Sequence, residues 1–182
     1  MRRCRPAPHR RKAGVLPLER DAIAKGLAEA EWPARLQRLT RGPIFQYLPE
    51  GTEVWLDGGH NPAAGRAIAE AMADLAQHDA PGEPRPLLLL SGMLDTKDAS
   101  GFFAAFRGLA THVETIAIPG AEASLPAERL AAAAASAGLS AGASPSLNDA
   151  LARVSVAAGR ATPRVLICGS LYLAGHLLKD NG

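Results

Sequence analysis

Two cysteines in 182 residues, Cys4 and Cys168, are too few for a disulfide framework and cannot make a zinc set. Aromatic residues are scarce at 4% of the chain, so no basic surface interleaved with aromatics is available to stack single-stranded nucleic acid. No run approaches the roughly 18 apolar residues needed to cross a bilayer, and no apolar signal core follows the basic start. The cytoplasm is therefore the default compartment, with neither membrane nor nucleic acid expected as a partner. Acids are missing from the first fourteen residues, where Arg2, Arg3, Arg5, Arg10, Arg11 and Lys12 stand alone. The other residues hold 14 bases against 18 acids, so a net charge of +2 hides a basic arm ahead of a mildly acidic body. With Pro6, Pro8 and no apolar period, that arm reads as a disordered leader over residues 1–16 rather than a transit peptide or a nucleic-acid-binding tail.

Several signatures are also absent. The chain has no Gly-x-x-x-x-Gly-Lys-Ser/Thr loop, no Gly-x-Gly-x-x-Gly after a strand and no Gly-x-Ser-x-Gly elbow. It therefore has no triphosphate cradle of its own and no serine-hydrolase turn. His60 has no neighbour at metal-ligand spacing, so no metal site is expected.

What is present is a soluble-domain composition, 47% hydrophobic and 21% charged, at a length that suits one core plus an extension. Leu18 to Ala30 has helical spacing and stops before Trp32-Pro33, so residues 17–34 read as a helix and linker leading into a domain over 35–182. Arg35 to Thr40 alternates like a strand, and Ile44 to Leu48 reads as a hairpin partner or an extended continuation. Strands are expected at Glu53 to Leu56, Pro86 to Gly92, His112 to Pro119 and Val165 to Ser170. Helices are expected over Pro62 to His78, Lys97 to Leu109, Leu125 to Ala137 after Ser124, Leu147 to Gly159 after Ser146, and Leu171 to Lys179. Leu87-Leu88-Leu89-Leu90 and Val165-Leu166-Ile167-Cys168 are apolar without alternation, as strands covered on both faces should be. Four strand-to-helix units counted from residue 54 predict an α/β fold, a single Rossmann-like, mostly parallel, doubly wound sheet.

Parallel strands bring their carboxyl ends to one edge, where ligands bind in open α/β sheets. Three polar strand ends would meet there: Asp57-Gly58-Gly59-His60-Asn61-Pro62, Ser91 to Asp98, and Gly169-Ser170-Leu171-Tyr172. Asn61 and Pro62 suit a helix cap and first helical position. Ser91, Asp95 and Asp98 read as caps in preference to catalytic groups; Ser170 reads as either a cap or a ligand contact. His176 reads as a surface or helix-terminal residue, and Cys168 as a small buried hydrophobe.

Taken in order, Trp32-Pro33-Ala34-Arg35-Leu36-Gln37, Leu56 to Pro62, Gly92 to Asp98 and Gly169-Ser170-Leu171-Tyr172-Leu173 resemble the C-terminal domain of folylpolyglutamate synthase/dihydrofolate synthase, a branch of the Mur ligase superfamily. The match runs over roughly residues 17 to 180. The Asp-x-x-His-Asn-Pro motif is shared across Mur-type ligases, while the Trp-Pro segment and Gly-Ser-Leu-Tyr point to the folate branch. The resemblance implies an ATP-dependent amide-bond ligase that adds L-glutamate to dihydropteroate or tetrahydrofolate through an acyl phosphate. On matching positions Arg35 and Asp57 would contact ATP, His60 and Ser170 would face glutamate, and Asp57 with His60 would form the catalytic pair, positioning rather than bonding covalently. The family's phosphate loop, Mg2+ ligands and modified lysine belong to an N-terminal region that this chain does not match. The isolated chain is therefore expected to be inactive and to need an N-terminal ligase domain as partner. The competing expectation is a non-catalytic α/β fragment, at most a weak nucleotide- or glutamate-binding module.

Overall fold

The computed structural model describes residues 32–181 together with Asp21 and Lys25, both of which are helical. The rest of the helix expected over Leu18 to Ala30, and the whole basic leader, lie outside the described residues. The chain divides into a unit Met1–Glu31 and a unit Trp32–Gly182, and the second unit contains the sheet.

Six strands form one mixed sheet: β1 (Gln37–Leu39), β2 (Glu53–Leu56), β3 (Leu87–Ser91), β4 (Ala110–Thr115), β5 (Ala141–Ala143) and β6 (Arg164–Cys168). Their order across the sheet is β1-β2-β6-β3-β4-β5. Only β1 is antiparallel, pairing Gln37 with Leu56; the other four pairings are parallel. Among the described residues four helices connect them, α1 (Pro62–Ala76), α2 (Ala99–Ala104), α3 (Ala127–Ser136) and α4 (Leu147–Ala158), and α5 (Leu171–Asn181) follows β6.

All five residues of β3 and of β6 are buried, which is why both read as unbroken apolar runs. Successive side chains serve opposite faces. Leu88, Leu90, Val165 and Ile167 pack with Leu151 and Val154 of α4 and with Leu173 and Leu177 of α5. Leu87, Leu89, Leu166 and Cys168 pack with Met72 of α1, Phe102 and Phe103 of α2, and Leu130 of α3. Helices α1 to α3 therefore cover one face, and α4 and α5 the other. Burial pushes the Cys168 thiol up, beyond the range where it ionises, so Cys168 behaves as the small hydrophobe expected.

Four expectations need correction. Ile44 to Leu48 is not extended: Pro43–Tyr47 is a short 3-10 helix. Pro43 presets its first turn, and the Ile44 N–H donates to Asn181 Oδ1 at 3.1 Å, a tie to the end of α5 that has no local signal. The helix expected from Lys97 to Leu109 is only Ala99–Ala104, giving way to turns that run to Leu109 and include Gly108 with φ of 76°. Ser124 does not cap α3; its hydroxyl accepts from Ile118 N–H and donates to Leu125 O, and Pro126 stands at the cap position. Strand-to-helix units number five rather than four, because Ala141–Ala143 forms β5 by pairing with β4 despite lacking branched or aromatic residues.

At the amino ends of the strands, Arg164 is almost wholly buried and bridges Glu53 and Asp79, each at 2.8 Å. A second buried charge, Glu114 on β4, is held by His112 Nε2 at 2.9 Å and by the Ser144 hydroxyl at 2.7 Å. Among the described residues, no helix is long and apolar enough to cross a membrane.

Candidate functional site

Strand β6 lies between β2 and β3, and its chain leaves toward α5, on the opposite face from α1 after β2 and α2 after β3. Adjacent strand ends that diverge to opposite faces open a crevice, and in α/β sheets that switch point is where ligands sit. The winding thus brings the three polar segments expected from the sequence to one edge, which makes that edge the candidate site.

Backbone hydrogen bonds lace these ends together. Asp57 N–H donates to Ile167 O at 3.0 Å, Gly169 N–H to Gly59 O at 3.0 Å, and Gly92 N–H to Cys168 O at 3.3 Å. The glycines make this lacing possible. A Cβ on Gly58 would lie 2.2 Å from Leu171 Cδ2, and one on Gly59 would lie 2.6 Å from Ile68 Cδ1. Gly169, with φ of 105°, would bring a Cβ to 2.7 Å from Ser91 Oγ and 2.8 Å from Gly92 O. What approaches Gly169 so closely is therefore the end of β3.

Asp57 is 5% exposed and already engaged. Its Oδ1 accepts from Gly59 N–H at 2.6 Å and its Oδ2 from Leu36 N–H at 2.8 Å. Two charge-assisted bonds to backbone donors offset the burial of the carboxylate. The loop before β1 is also pinned by Gly58 N–H, which donates to Ala34 O at 2.8 Å. Arg35 stands exposed on that loop, and its side chain has no partner among the described residues.

His60 is half-buried at the start of the turn into α1, with Nδ1 3.1 Å from Gly58 O. A carbonyl only accepts, so this contact requires the proton on Nδ1, and in that tautomer Nε2 is an acceptor. Asn61 caps α1 through Oδ1, which accepts from Ala64 N–H at 2.9 Å, with Pro62 at the first helical position. Ser170 is buried, and its Oγ accepts from Tyr172 N–H at 3.0 Å, which makes it the cap of α5 while its own proton remains to donate. Leu171 and Tyr172 beside it are 51% and 66% exposed.

The middle segment departs from expectation. Asp98 caps α2, accepting from Gly101 N–H at 2.9 Å, but Ser91 is the last residue of β3 and caps nothing. Its hydroxyl is fully buried without a hydrogen-bond partner. Asp95 is exposed, and its side chain caps no helix. Asp57, Arg35, His60 and Ser170 thus share one sheet edge, while Ser91 is sealed beneath Gly169. Gln37, which sequence reading passed over, accepts from Ala34 N–H through Oε1 at 3.0 Å and so belongs to the same construction. Its only signal was its place after Arg35-Leu36.

Among the described residues no group of three or more His, Cys, Asp or Glu side chains is arranged to hold a metal ion. Asp57, the one carboxylate at the centre of the edge, is committed to backbone donors. The residues present do not fit a magnesium site.

The edge can be compared with known proteins. The chain is 27% identical over 160 residues to the folylpolyglutamate synthase of Lacticaseibacillus casei, covering 87% of this chain and 32% of that protein. A crystal structure of Mycobacterium tuberculosis folylpolyglutamate synthase complexed with ADP and AMPPCP superposes with a TM-score of 0.67 at 27% identity, over 87% of this chain and 34% of the other. A bifunctional folylpolyglutamate synthase/dihydrofolate synthase with Mn, AMPPNP and L-glutamate bound gives 0.67 at 26% identity, over 90% and 35%. This chain therefore spans about a third of the length of these relatives. The profile of the Mur ligase glutamate ligase domain matches residues 41–171. With that match, the shared six-stranded fold and the Asp57 to Pro62 turn at its switch point, the chain belongs to the Mur ligase glutamate ligase domain family, in the likeness of the C-terminal domain of folylpolyglutamate synthase/dihydrofolate synthase.

Proposed function

We propose that this chain supplies one wall of an ATP-dependent ligase that joins L-glutamate to a dihydropteroate or tetrahydrofolate carboxylate through an acyl phosphate. The observation that carries the reading is the winding reversal at β6, which sets the β2 and β6 ends side by side and so gathers Arg35, Asp57, His60 and Ser170 on one edge. Arg35, exposed and uncommitted, meets nucleotide phosphate, where a guanidinium can bind two oxygens at once. The Ser170 hydroxyl proton is free to donate to a glutamate carboxylate, and His60 Nε2 is free to accept from the amine that attacks the acyl phosphate. Asp57 belongs to the nucleotide side of this wall.

The second wall comes from another domain, which binds magnesium and the remaining phosphates. Leu171 and Tyr172, large and uncovered at this edge, are where such a domain closes. The chain without that domain has no turnover of its own.

The test is complementation. The chain is mixed with a separately expressed N-terminal ligase domain of a folylpolyglutamate synthase, and glutamate-dependent ADP release is measured. Release above either part alone, lost on Arg35→Ala, is the expected result. Release no greater than that of the separate parts, together with no calorimetric signal for ATP or glutamate on the chain, overturns the reading in favour of a non-catalytic fragment.

A further inference from the structure

Among the described residues, two that are not glycine hold a left-handed backbone, Ala34 with φ of 57° and Leu36 with φ of 43°. Side chains rarely adopt that conformation, and such residues persist where their surroundings over-determine them. Both flank Arg35. The surroundings that hold them are explicit. Ala34 N–H donates to Gln37 Oε1 at 3.0 Å and Ala34 O accepts from Gly58 N–H at 2.8 Å. Arg35 N–H donates to Trp32 O at 3.2 Å, and Leu36 N–H to Asp57 Oδ2 at 2.8 Å. Every N–H of Ala34 to Leu36 is spent inside the chain, so the Arg35 side chain is the donor the loop offers outward. Asp57 is a poor direct partner for nucleotide phosphate. It is 95% buried, its charge is of the same sign as the phosphate, and each of its oxygens already accepts a backbone N–H, which leaves it acceptor capacity for a hydroxyl but nothing to offer a phosphate.

We infer that Gln37 is a positioning residue that acts on the nucleotide through Arg35, by clamping, together with Asp57, the strained Ala34–Leu36 turn from which the Arg35 guanidinium projects. This rests on the proposed reading that Arg35 meets nucleotide phosphate. Asp57 ties the turn to the end of β2, and Gln37, the first residue of β1, ties it to the sheet. A guanidinium on a fixed base loses less freedom on binding than one on a mobile loop.

The experiment is a double-mutant cycle on the full chain, with ADP as the probe and calorimetry as the readout. Gln37→Ala and Asp57→Asn are each expected to weaken ADP binding on the order of tenfold when Arg35 is present. In the Arg35→Ala background, where nothing remains to be positioned, Gln37→Ala causes no further loss. Gln37→Ala at a partly exposed site should leave the fold intact even if Asp57→Asn does not. Adding Ala34→Gly to Gln37→Ala is expected to restore part of the binding, because glycine adopts positive φ without a clamp. Losses that persist undiminished without Arg35 overturn the positioning role and leave the site reading standing. Wild-type chain that binds no ADP overturns both.

Discussion

At Gly169 the backbone turns with φ of 105°, and a methyl group there would meet the Gly92 carbonyl, which is backbone and cannot swing aside. Gly169→Ala is therefore expected to cost about 2–3 kcal/mol, from overpacking added to backbone strain, read as a lower urea midpoint. The neighbouring Ser91 behaves in the opposite way. Its hydroxyl is buried with no nitrogen or oxygen partner and faces the Cys168 thiol, so it contributes a desolvation cost and at most a weak contact to sulfur. Ser91→Ala should leave stability unchanged or raise it by up to about 1 kcal/mol in the same measurement. The sequence placed Gly169 and Ser91 at strand ends. It could not show that each is explained by the other, since they lie 78 positions apart and meet only through the pairing of Ser91 with Cys168.

At the scale of elements, caps were legible where the candidate stands next to the first helical residue, as Asn61, Asp98 and Ser146 do, and misread at Ser91, Asp95 and Ser124, which do not. Asn61 on α1 and Ser146 on α4 both accept the expected N–H, from Ala64 and Asp149. Asn61→Ala and Ser146→Ala should each cost about 1 kcal/mol. Because α1 and α4 cover opposite faces of the sheet, the double variant should lose about 2 kcal/mol, the sum within error, in equilibrium denaturation. Elements made by partners elsewhere were not legible. Strand β5 is Ala-Gly-Ala, and what favours it is β4 beside it and room at Gly142 for the Glu114 carboxylate, 2.6 Å from where a Cβ would stand. The 3-10 turn at Pro43–Tyr47 depends likewise on Asn181, at the far end of the chain.

At the scale of the whole molecule, the ionic cluster at the amino edge should set the acid limit. Burial opposes ionisation at Glu53 and at Asp79. At each, the hydrogen bond to Arg164 prevails, with further support from Arg164 and Arg85, and holds the carboxyl below its ordinary range. Carboxyls depressed in the folded state contribute stability that is complete above about pH 5 and is lost as the pH falls through their unfolded and then folded values. Arg164→Met strands two carboxylates and should cost about 3 kcal/mol at neutral pH. The gap to wild type should narrow as the pH drops toward about 3, because protonated carboxyls no longer need the arginine. Denaturation curves between those limits check it, and a gap independent of pH would count against this account of Arg164.

The sequence by itself determined the apolar strands, the starts of α1, α4 and α5, the polar strand ends and the family, because burial pattern, capping and turn chemistry are written in neighbouring residues. Tertiary structure alone decided that β6 runs between β2 and β3, that Ser170 therefore stands beside the Asp57 turn, and that Asp57 spends its carboxylate on Leu36 and Gly59. Strand order is settled by how two covered faces and right-handed crossovers pack together, and no local stretch of chain carries that information.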